Sequence, residues 1–550
     1  MPPSSARSGE TPWLAFLPWA AALAVGVWLR GQQWAEQVLI DDEWHLVHRL
    51  VLSTPREMFF DFGYSDYAIP LGLLYSALGE VMPLSEAVLR MPMLLAGIAT
   101  LVLLPALVLC RVGLPSTTLF AGLIAISPLL IVYSRLARPY ALVLPLVWIA
   151  VFAILRFSAR KDGGGALAVG AVVASVLAAW MHLAASCFVA AAFVVAAWPL
   201  LRRVRVEGAA PVIRLGLLAM AIGVLCCALI LPPLLANPQA MALKSGIDSP
   251  GIDTLVSAWF AWVGTTSNVV AIVAGVLALA GLVPLLRDVP ETRALALGAV
   301  LALLLVVLTQ PASSHYGVVL ARYLLPALPL ALLAMACGAW MLVRRVAPEA
   351  RGPAVAFAGV LGVLACAGLA VTSPVREWWE RPNRHALHMQ YYFDFREGRN
   401  LFGPHLDGIP DSAFWRTLSR QRPGSLRVAV APFYFESFNW NAPEWERESG
   451  QAVIPAYLTG FCVDWRWGEV PARLPFAFRN AVHLSDAREM AARGIDLVVW
   501  QRPYVRGTDL MGEDTQHCEA RLREQFGKPW YEDDAVMVFA MRKLEAGKGL

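Results

Sequence analysis

The sequence predicts a polytopic α-helical membrane protein with about eleven transmembrane helices and a C-terminal α/β domain. Three observations carry this. Hydrophobic residues make up 58% of the 550 residues and charged residues 16%, whereas soluble domains run near 45–50% apolar and about 25% charged. The mean hydropathy is +0.56. The apolar residues are gathered into runs of roughly twenty, enough to cross a hydrocarbon core, and those runs stop near residue 372.

In chain order the runs fall near 13–29, 92–110, 114–133, 139–157, 165–181, 183–201, 213–235, 267–286, 294–309, 323–343 and 354–372. The first is a membrane anchor rather than a cleaved leader. It lacks a small-residue cleavage site and runs into Trp28 and Arg30. Residues 1–372 thus form the membrane domain, with a first outer loop over about 30–91, and residues 373–550 form the second domain.

Lysine and arginine in short loops set the orientation. With the N-terminus in the cytoplasm, Arg111, Arg156, Arg160, Lys161, Arg202, Arg203, Arg205, Arg214, Arg287, Arg293, Arg344, Arg345 and Arg351 lie inside. The opposite short loops hold Arg135, Arg138, Lys244 and Arg322. An odd number of crossings then places the C-terminal domain outside the cell. The net charge of +4 gives no reason to expect a nucleic-acid partner.

The composition changes at Ser373 to one rich in charge, aromatics and proline. There 425–431 (SLRVAVA) reads as a strand, 486–494 as a helix, 495–500 (IDLVVW) as a strand, 517–526 as a helix and 535–543 as a closing strand. Six of the eight cysteines lie in apolar runs and read as small hydrophobes. Cys462 and Cys518 would sit in an oxidising space, where a disulfide between them is one expectation. No CxxC or Cys/His cluster marks a zinc site.

The outer side collects polar residues that membrane crossing does not explain. The first outer loop carries Asp41, Asp42, Glu43, His45 and His48. The next carries Arg135, Arg138 and Tyr140, the arginines three apart on one helical face. His182 stands in a tight outer turn, and His315, Arg322 and Tyr323 stand at the mouth of an apolar span. Each has an ordinary reading alone: a solvated acidic loop, snorkelling arginines, a satisfied loop histidine. Ionisable groups at membrane depth usually face a cavity or pair with one another, and their gathering on one side favours a shared cavity. A carboxylate there accepts a proton from a hydroxyl or amine nucleophile. Arginines hold a phosphate through charge-assisted hydrogen bonds. Together they suit transfer of a group from a phosphate leaving group, the membrane bulk suiting a lipid-borne donor.

Five segments in order resemble the bacterial branch of the protein O-mannosyltransferase superfamily, which includes the aminoarabinose transferases of lipid A. They are Asp42–Glu43, the stretch 65–97 (SDYAIPLGLLYSALGEVMPLSEAVLRMPMLLAG), 126–142 (ISPLLIVYSRLARPYAL), 180–185 (WMHLAA) and 321–332 (ARYLLPALPLAL). The resemblance runs from about residue 38 to 200, with a second patch at 315–333. It implies a GT-C membrane core with an outer soluble domain, and inverting transfer of a sugar from a polyprenyl-phosphate donor to an acceptor on the extracytoplasmic face of the inner (plasma) membrane. By resemblance Asp42 is the base, with Asp41 as the alternative register. Glu43 and His45 line the same site, Arg138 and Arg322 hold the donor phosphate, and Tyr140 and His182 support it, with Arg135 and Tyr323 among the substrate-binding set. No cofactor is required, since arginines neutralise one lipid phosphate; the acidic run leaves a divalent metal open.

The segment 67–70 (YAIP) stands where the family carries a double proline, and Met181 and Leu183 flank the turn histidine. Sugar and acceptor (protein, lipid or glycan) stay open. In the C-terminal domain, Trp440, Trp445, Trp465 and Trp467 either stack on sugar or pack. The alternatives to this transferase are a polysaccharide ligase or polymerase with a diphosphate lipid donor, and a non-enzymatic lipid or glycan transporter. Against transport stand the lack of an internal repeat and the one-sided placement of the charges.

Overall fold

The structure is a computed structural model and describes residues 16–62, 68–160, 164–242, 245–346, 373–379, 386–401, 412–431, 438–457, 476–478, 482–483, 487–502 and 515–541. Its first part is helical: α1 (Leu17–Gly31), α2 (Asp41–Leu52), α3 (Pro55–Phe60), α4 (Ile69–Gly79), α5 (Glu86–Ile126), α6 (Pro128–Ser134), α7 (Tyr140–Ala159), α8 (Gly165–Met181), α9 (Ala185–Glu207), α10 (Ala210–Ala236), α11 (Pro238–Ala242), α12 (Ile252–Val263), α13 (Asn268–Asp288), α14 (Pro290–Thr309), α15 (Gly317–Tyr323) and α16 (Leu328–Val346).

Among the described residues, seven helices are long and apolar enough to cross a membrane: α5, α7, α9, α10, α13, α14 and the helix ending at Val346. Their outward faces stay apolar. Val269, Val283 and Leu308 are 70–80% exposed, a surface that water would not tolerate over such an area and that lipid covers. The chain is therefore a polytopic α-helical membrane protein. The described parts of the expected spans from 13–29 to 323–343 fall on helices, while residues 13–15 and 354–372 lie outside the described residues. Two differences are informative. The spans 92–110 and 114–133 merge into the 41-residue α5, broken at Gly113 (φ +78°), a conformation that costs glycine little, and completed by α6. α1 and α8, at 15 and 17 residues, fall short of the roughly 20 that cross a bilayer upright.

Close packing inside the bundle relies on small residues. A Cβ on Gly281 of α13 would lie 2.0 Å from the Ala334 carbonyl oxygen of α16, and one on Gly338 would lie 2.0 Å from the Leu277 carbonyl oxygen. The two backbones touch there, as helices in lipid do through small side chains.

Among the described residues, the C-terminal region builds a six-stranded sheet. A small antiparallel hairpin, β1 (Phe393–Asp394) with β2 (Arg399–Asn400), precedes β3 (Arg427–Ala431), β4 (Ala452–Tyr457), β5 (Val482–His483), β6 (Leu497–Gln501), β7 (Tyr531–Glu532) and β8 (Val536–Ala540). The sheet order is β5-β4-β3-β6-β8-β7. β3 to β6 run parallel; β8 runs antiparallel to β6 and β7. Side chains alternate between two buried faces. Ala429, Val498, Trp500 and Phe539 pack with Met490 and Leu522. Val428, Leu497, Val499 and Val538 pack with Phe414 and Trp415. The helices Thr515–Phe526 and Ala487–Ala492 and the strands β3, β6 and β8 fall where the sequence places them. Trp445 is buried and stacks on Trp415 at 5.1 Å and 8°, so it is packing. Trp465 and Trp467 lie outside the described residues, as do Cys462 and the side chains of Trp440 and Cys518.

The segment 386–395, which precedes this sheet in the chain, packs into the membrane core. Ala386, Leu387, Tyr391, Tyr392 and Phe395 are buried with residues of α6, α7 and α16.

Candidate active site

α2 starts directly after an extended Ile40, and the Glu43 side chain fixes that start. Glu43 Oε2 accepts from the Ile40 amide at 3.0 Å, and Oε1 accepts from the Ala137 amide at 2.8 Å. Arg90 of α5 grips the same carboxylate with Nε at 2.8 Å and Nη2 at 2.5 Å. Its remaining donors go to the carbonyls of Gln37, Val38 and Trp34 at 2.7, 2.8 and 3.2 Å. Both side chains are fully buried. One pair thus ties together the α1–α2 loop, the start of α5 and the α6–α7 loop. Consecutive helical residues are rotated by about 100°, so with Glu43 committed to Arg90, Asp42 points elsewhere.

Asp42 points at Arg322. Arg322 Nη1 donates to Asp42 Oδ2 at 3.2 Å and also to the Tyr391 hydroxyl, which itself donates to Oδ2. Arg138 Nε stands 3.8 Å from Oδ2, and its Nη1 reaches the Asp42 carbonyl at 3.4 Å. His45 Nε2 lies 3.9 Å from Oδ1. Burial on its own raises the Asp42 carboxyl, but Arg138, Arg322, His45 and the Tyr391 hydrogen bond outweigh it. The carboxyl is held below the usual carboxylate range. It is an anion at neutral pH.

Arg322 stands among four aromatic rings. Its guanidinium carbon lies 5.9 Å from the Tyr140 ring centroid, 5.8 Å from Tyr323, 5.5 Å from Tyr391 and 5.9 Å from Tyr392, within cation–π reach. Its hydrogen bonds to described residues all leave from Nη1, and its buried Nε has no partner among them. The His182 ring touches Tyr140 and Tyr323 at centroid distances of 5.5 and 5.8 Å. Burial, then Arg322 and Arg138, push His182 down to about 4, so the imidazole is neutral.

Of the residues singled out in the sequence, the structure gathers Asp42, His45, Arg138, Tyr140, His182, Arg322 and Tyr323. It sets Glu43 behind them as a strut. Arg135 also faces away: it is buried, donates to the Leu29 carbonyl at 3.1 Å, and is pushed down to about 9 by burial and Arg90. The side chains of Asp41 and His48 lie outside the described residues. His315 sits in a separate cluster, 3.1 Å from Asp248. Sequence reasoning missed Tyr391, Tyr392 and Arg90. Arg90 stood inside the resembling stretch without a role, and the aromatic run 391–393, which begins 19 positions past the last apolar span, was the available signal for the tyrosines.

The cluster offers a buried carboxylate anion beside two guanidinium groups, walled by phenols. Among the described residues no group of three or more His, Cys, Asp or Glu side chains stands together.

No protein-family model matches the chain, and no curated protein matches it. Solved structures do. The fold is similar to ArnT from Cupriavidus metallidurans bound to undecaprenyl phosphate, with a TM-score of 0.45 and 12% identity, over 97% of this chain and 99% of that one. It is also similar to the archaeal oligosaccharyltransferase AglB from Archaeoglobus fulgidus in complex with an inhibitory peptide and a dolichol-phosphate. There the TM-score is 0.43 and the identity 12%, over 89% of this chain and 69% of that one.

Proposed function

We propose that the protein is a membrane glycosyltransferase that moves a sugar from a polyprenyl-phosphate donor to an acceptor, with Asp42 as the base. The observation that carries this reading is the double aspect of Arg322. Nη1 holds the Asp42 carboxylate, while Nε is buried without a partner. An orphaned donor on a buried cation costs free energy unless a ligand meets it. An anionic phosphate oxygen on that edge of the fork satisfies it in the bidentate manner arginine favours.

The reaction follows from the arrangement. The acceptor hydroxyl or amine gives its proton to Asp42 as its lone pair bonds the anomeric carbon. The bond from that carbon to the phosphate oxygen breaks, and the electron pair leaves on the phosphate, whose charge Arg322 and Arg138 stabilise. Attack from the side opposite the phosphate inverts the anomeric centre. The tyrosine walls suit a sugar face or the first isoprene units. Helix direction supports one orientation. α7, α9 and α16 start beside the cluster and carry Arg156, Arg202, Arg203, Arg205, Arg344 and Arg345 near their far ends. The lysine–arginine rule reads those ends as the cytoplasmic ones, which supports a site and an α/β region on the extracytoplasmic face of the inner (plasma) membrane, with the N-terminus in the cytoplasm.

The test is turnover by purified protein with a panel of polyprenyl monophosphate sugars, wild type beside Asp42→Asn. Release of polyprenyl phosphate by the wild type alone supports the reading. Turnover confined to diphosphate-linked donors moves the protein to the ligase class, and no turnover by folded protein on either donor type sinks the transferase.

A further inference from the structure

The two oxygens of Asp42 are not equivalent. Oδ2 accepts from Arg322 at 3.2 Å and from Tyr391, with Arg138 Nε at 3.8 Å. Oδ1 takes no hydrogen bond from a described residue, and His45 Nε2 stands 3.9 Å from it, beyond hydrogen-bond reach. We propose that Tyr391 of the α/β domain is a positioning residue that, with Arg322, fixes Oδ2 of Asp42 and leaves Oδ1 as the atom that takes the acceptor's proton. The identity of that acceptor as a nucleophile on a sugar donor rests on the glycosyltransferase reading.

A carboxylate has about four lone-pair sites. Filling those on Oδ2 with a guanidinium and a phenol pins the rotation of the carboxyl group and leaves the lone pairs of Oδ1 without a donor among the described residues. Tyr391 is itself held firmly. It ends the helix Ala386–Tyr391, is 2% exposed, and packs edge-on against Tyr392 at 4.7 Å. The preceding Gln390 donates to the Pro374 carbonyl at 2.7 Å. The hairpin that follows is anchored where Ser257 of α12 donates to the Asp394 carboxylate, 3.2 Å from each oxygen. Ser257 in turn lies against α15, the helix that carries Arg322. A Cβ on Gly317 would stand 2.3 Å from the Ser257 hydroxyl oxygen. The phenol and the guanidinium that share Oδ2 are therefore set by one continuous contact through α12, β1 and α15. Burial raises the Tyr391 phenol well above its ordinary value against the pull of Arg322, which keeps it protonated and a donor.

In the reaction the acceptor's O–H or N–H proton passes to Oδ1, the acceptor atom bonds the anomeric carbon, and the leaving electron pair goes to the donor phosphate. Tyr391 gives up no proton and touches no reacting atom. Its function is to keep Oδ2 occupied.

The test compares wild type, Tyr391→Phe and Asp42→Asn in the full chain by two readouts. The first is labelling of Asp42 at pH 5 by dicyclohexylcarbodiimide, which attacks protonated carboxyls, read by mass spectrometry on the monodisperse fraction, with Asp42→Asn as background. The groups that face Asp42 are Arg138, Arg322, His45 and Tyr391, and Tyr391→Phe removes one donor among them. Labelling is expected to rise several-fold. The second is turnover of a polyprenyl monophosphate sugar that the wild type accepts. There kcat is expected to fall on the order of 10²-fold, as for a misplaced catalytic group, with donor KM within about twofold of wild type. Wild-type labelling in the Tyr391→Phe protein overturns the proposal whatever the turnover. Wild-type kcat overturns it as well. Failure of the wild type on every donor sinks the glycosyltransferase reading instead, and the labelling still decides the place of Tyr391.

Discussion

Arg322 meets Asp42 with Nη1 at 3.2 Å while its Nε lies buried without a hydrogen-bond partner among the described residues. One planar group therefore spans the Asp42 carboxylate and the side facing away from it. Lysine cannot do this, because an ammonium is a point charge without a fork. Arg322→Lys is expected to insert and fold, since the charge beside Asp42 survives. Its kcat/KM for a polyprenyl monophosphate sugar is expected to drop roughly 10²–10³-fold, the usual cost of one transition-state donor. Wild-type kcat/KM in that variant would take Arg322 off the phosphate.

The pH dependence follows from the sign of the Asp42 shift. As the proposed base Asp42 works as an anion, and Arg138 and Arg322 among its neighbours hold it below the ordinary carboxylate range against burial. No acid limb from Asp42 is expected between pH 5 and 8 in kcat/KM. Arg138→Ala removes the first of the charges that oppose burial, so the carboxyl rises and an acid limb moves up toward that window. A profile for Arg138→Ala that overlays the scaled wild-type curve would show that Arg138 does not act on the base.

His182 makes a separate prediction for stability. Burial, then Arg322 and Arg138, depress it from 6.5 to about 4. Between those values the unfolded chain binds a proton that the folded chain does not, so folding stability falls as pH drops through that window. Thermal unfolding in detergent is expected to shift to lower temperature from pH 6.5 toward pH 4. In His182→Gln the slope is expected to flatten. Equal slopes in the two proteins would place the titration elsewhere.

The sequence made the helices legible because a membrane crossing is written as a long apolar run, and it made one side of the bundle legible because charges at that depth stand out. It could not say whether Asp42 or Glu43 turns toward Arg322. That is decided by a 100° turn between neighbours on α2 and by Arg90, a residue 47 positions away from Glu43. Arg135 looked equivalent to Arg138 by spacing, but the helix stops at Ser134, so the two arginines leave a turn in different directions. Tyr391 was the least accessible. It lies 349 positions from Asp42, in a segment whose composition belongs to the C-terminal region, and no periodicity reports that it packs against the membrane helices.

The Glu43–Arg90 pair gives the sharpest test of how the site is built. Removing one partner of a fully buried pair strands the other and costs about 3–5 kcal/mol. Glu43→Gln and Arg90→Leu are each expected to lower the unfolding temperature in detergent and to lose turnover through displaced α2. In many proteins, replacing both partners by apolar residues restores stability. Here it is expected to fail. Glu43 also satisfies the amides of Ile40 and Ala137, and Arg90 also satisfies the carbonyls of Trp34, Gln37 and Val38. A Glu43→Leu, Arg90→Leu double variant leaves those five backbone groups buried without their partners, at about 1–3 kcal/mol each. Its unfolding temperature is expected to stay at or below that of the worse single variant. Recovery in the double variant would mean that charge neutrality alone holds this corner, and that the backbone of the α1–α2 loop finds other partners. Asp42 would then owe its direction to Arg322 and Tyr391 rather than to the strut behind it.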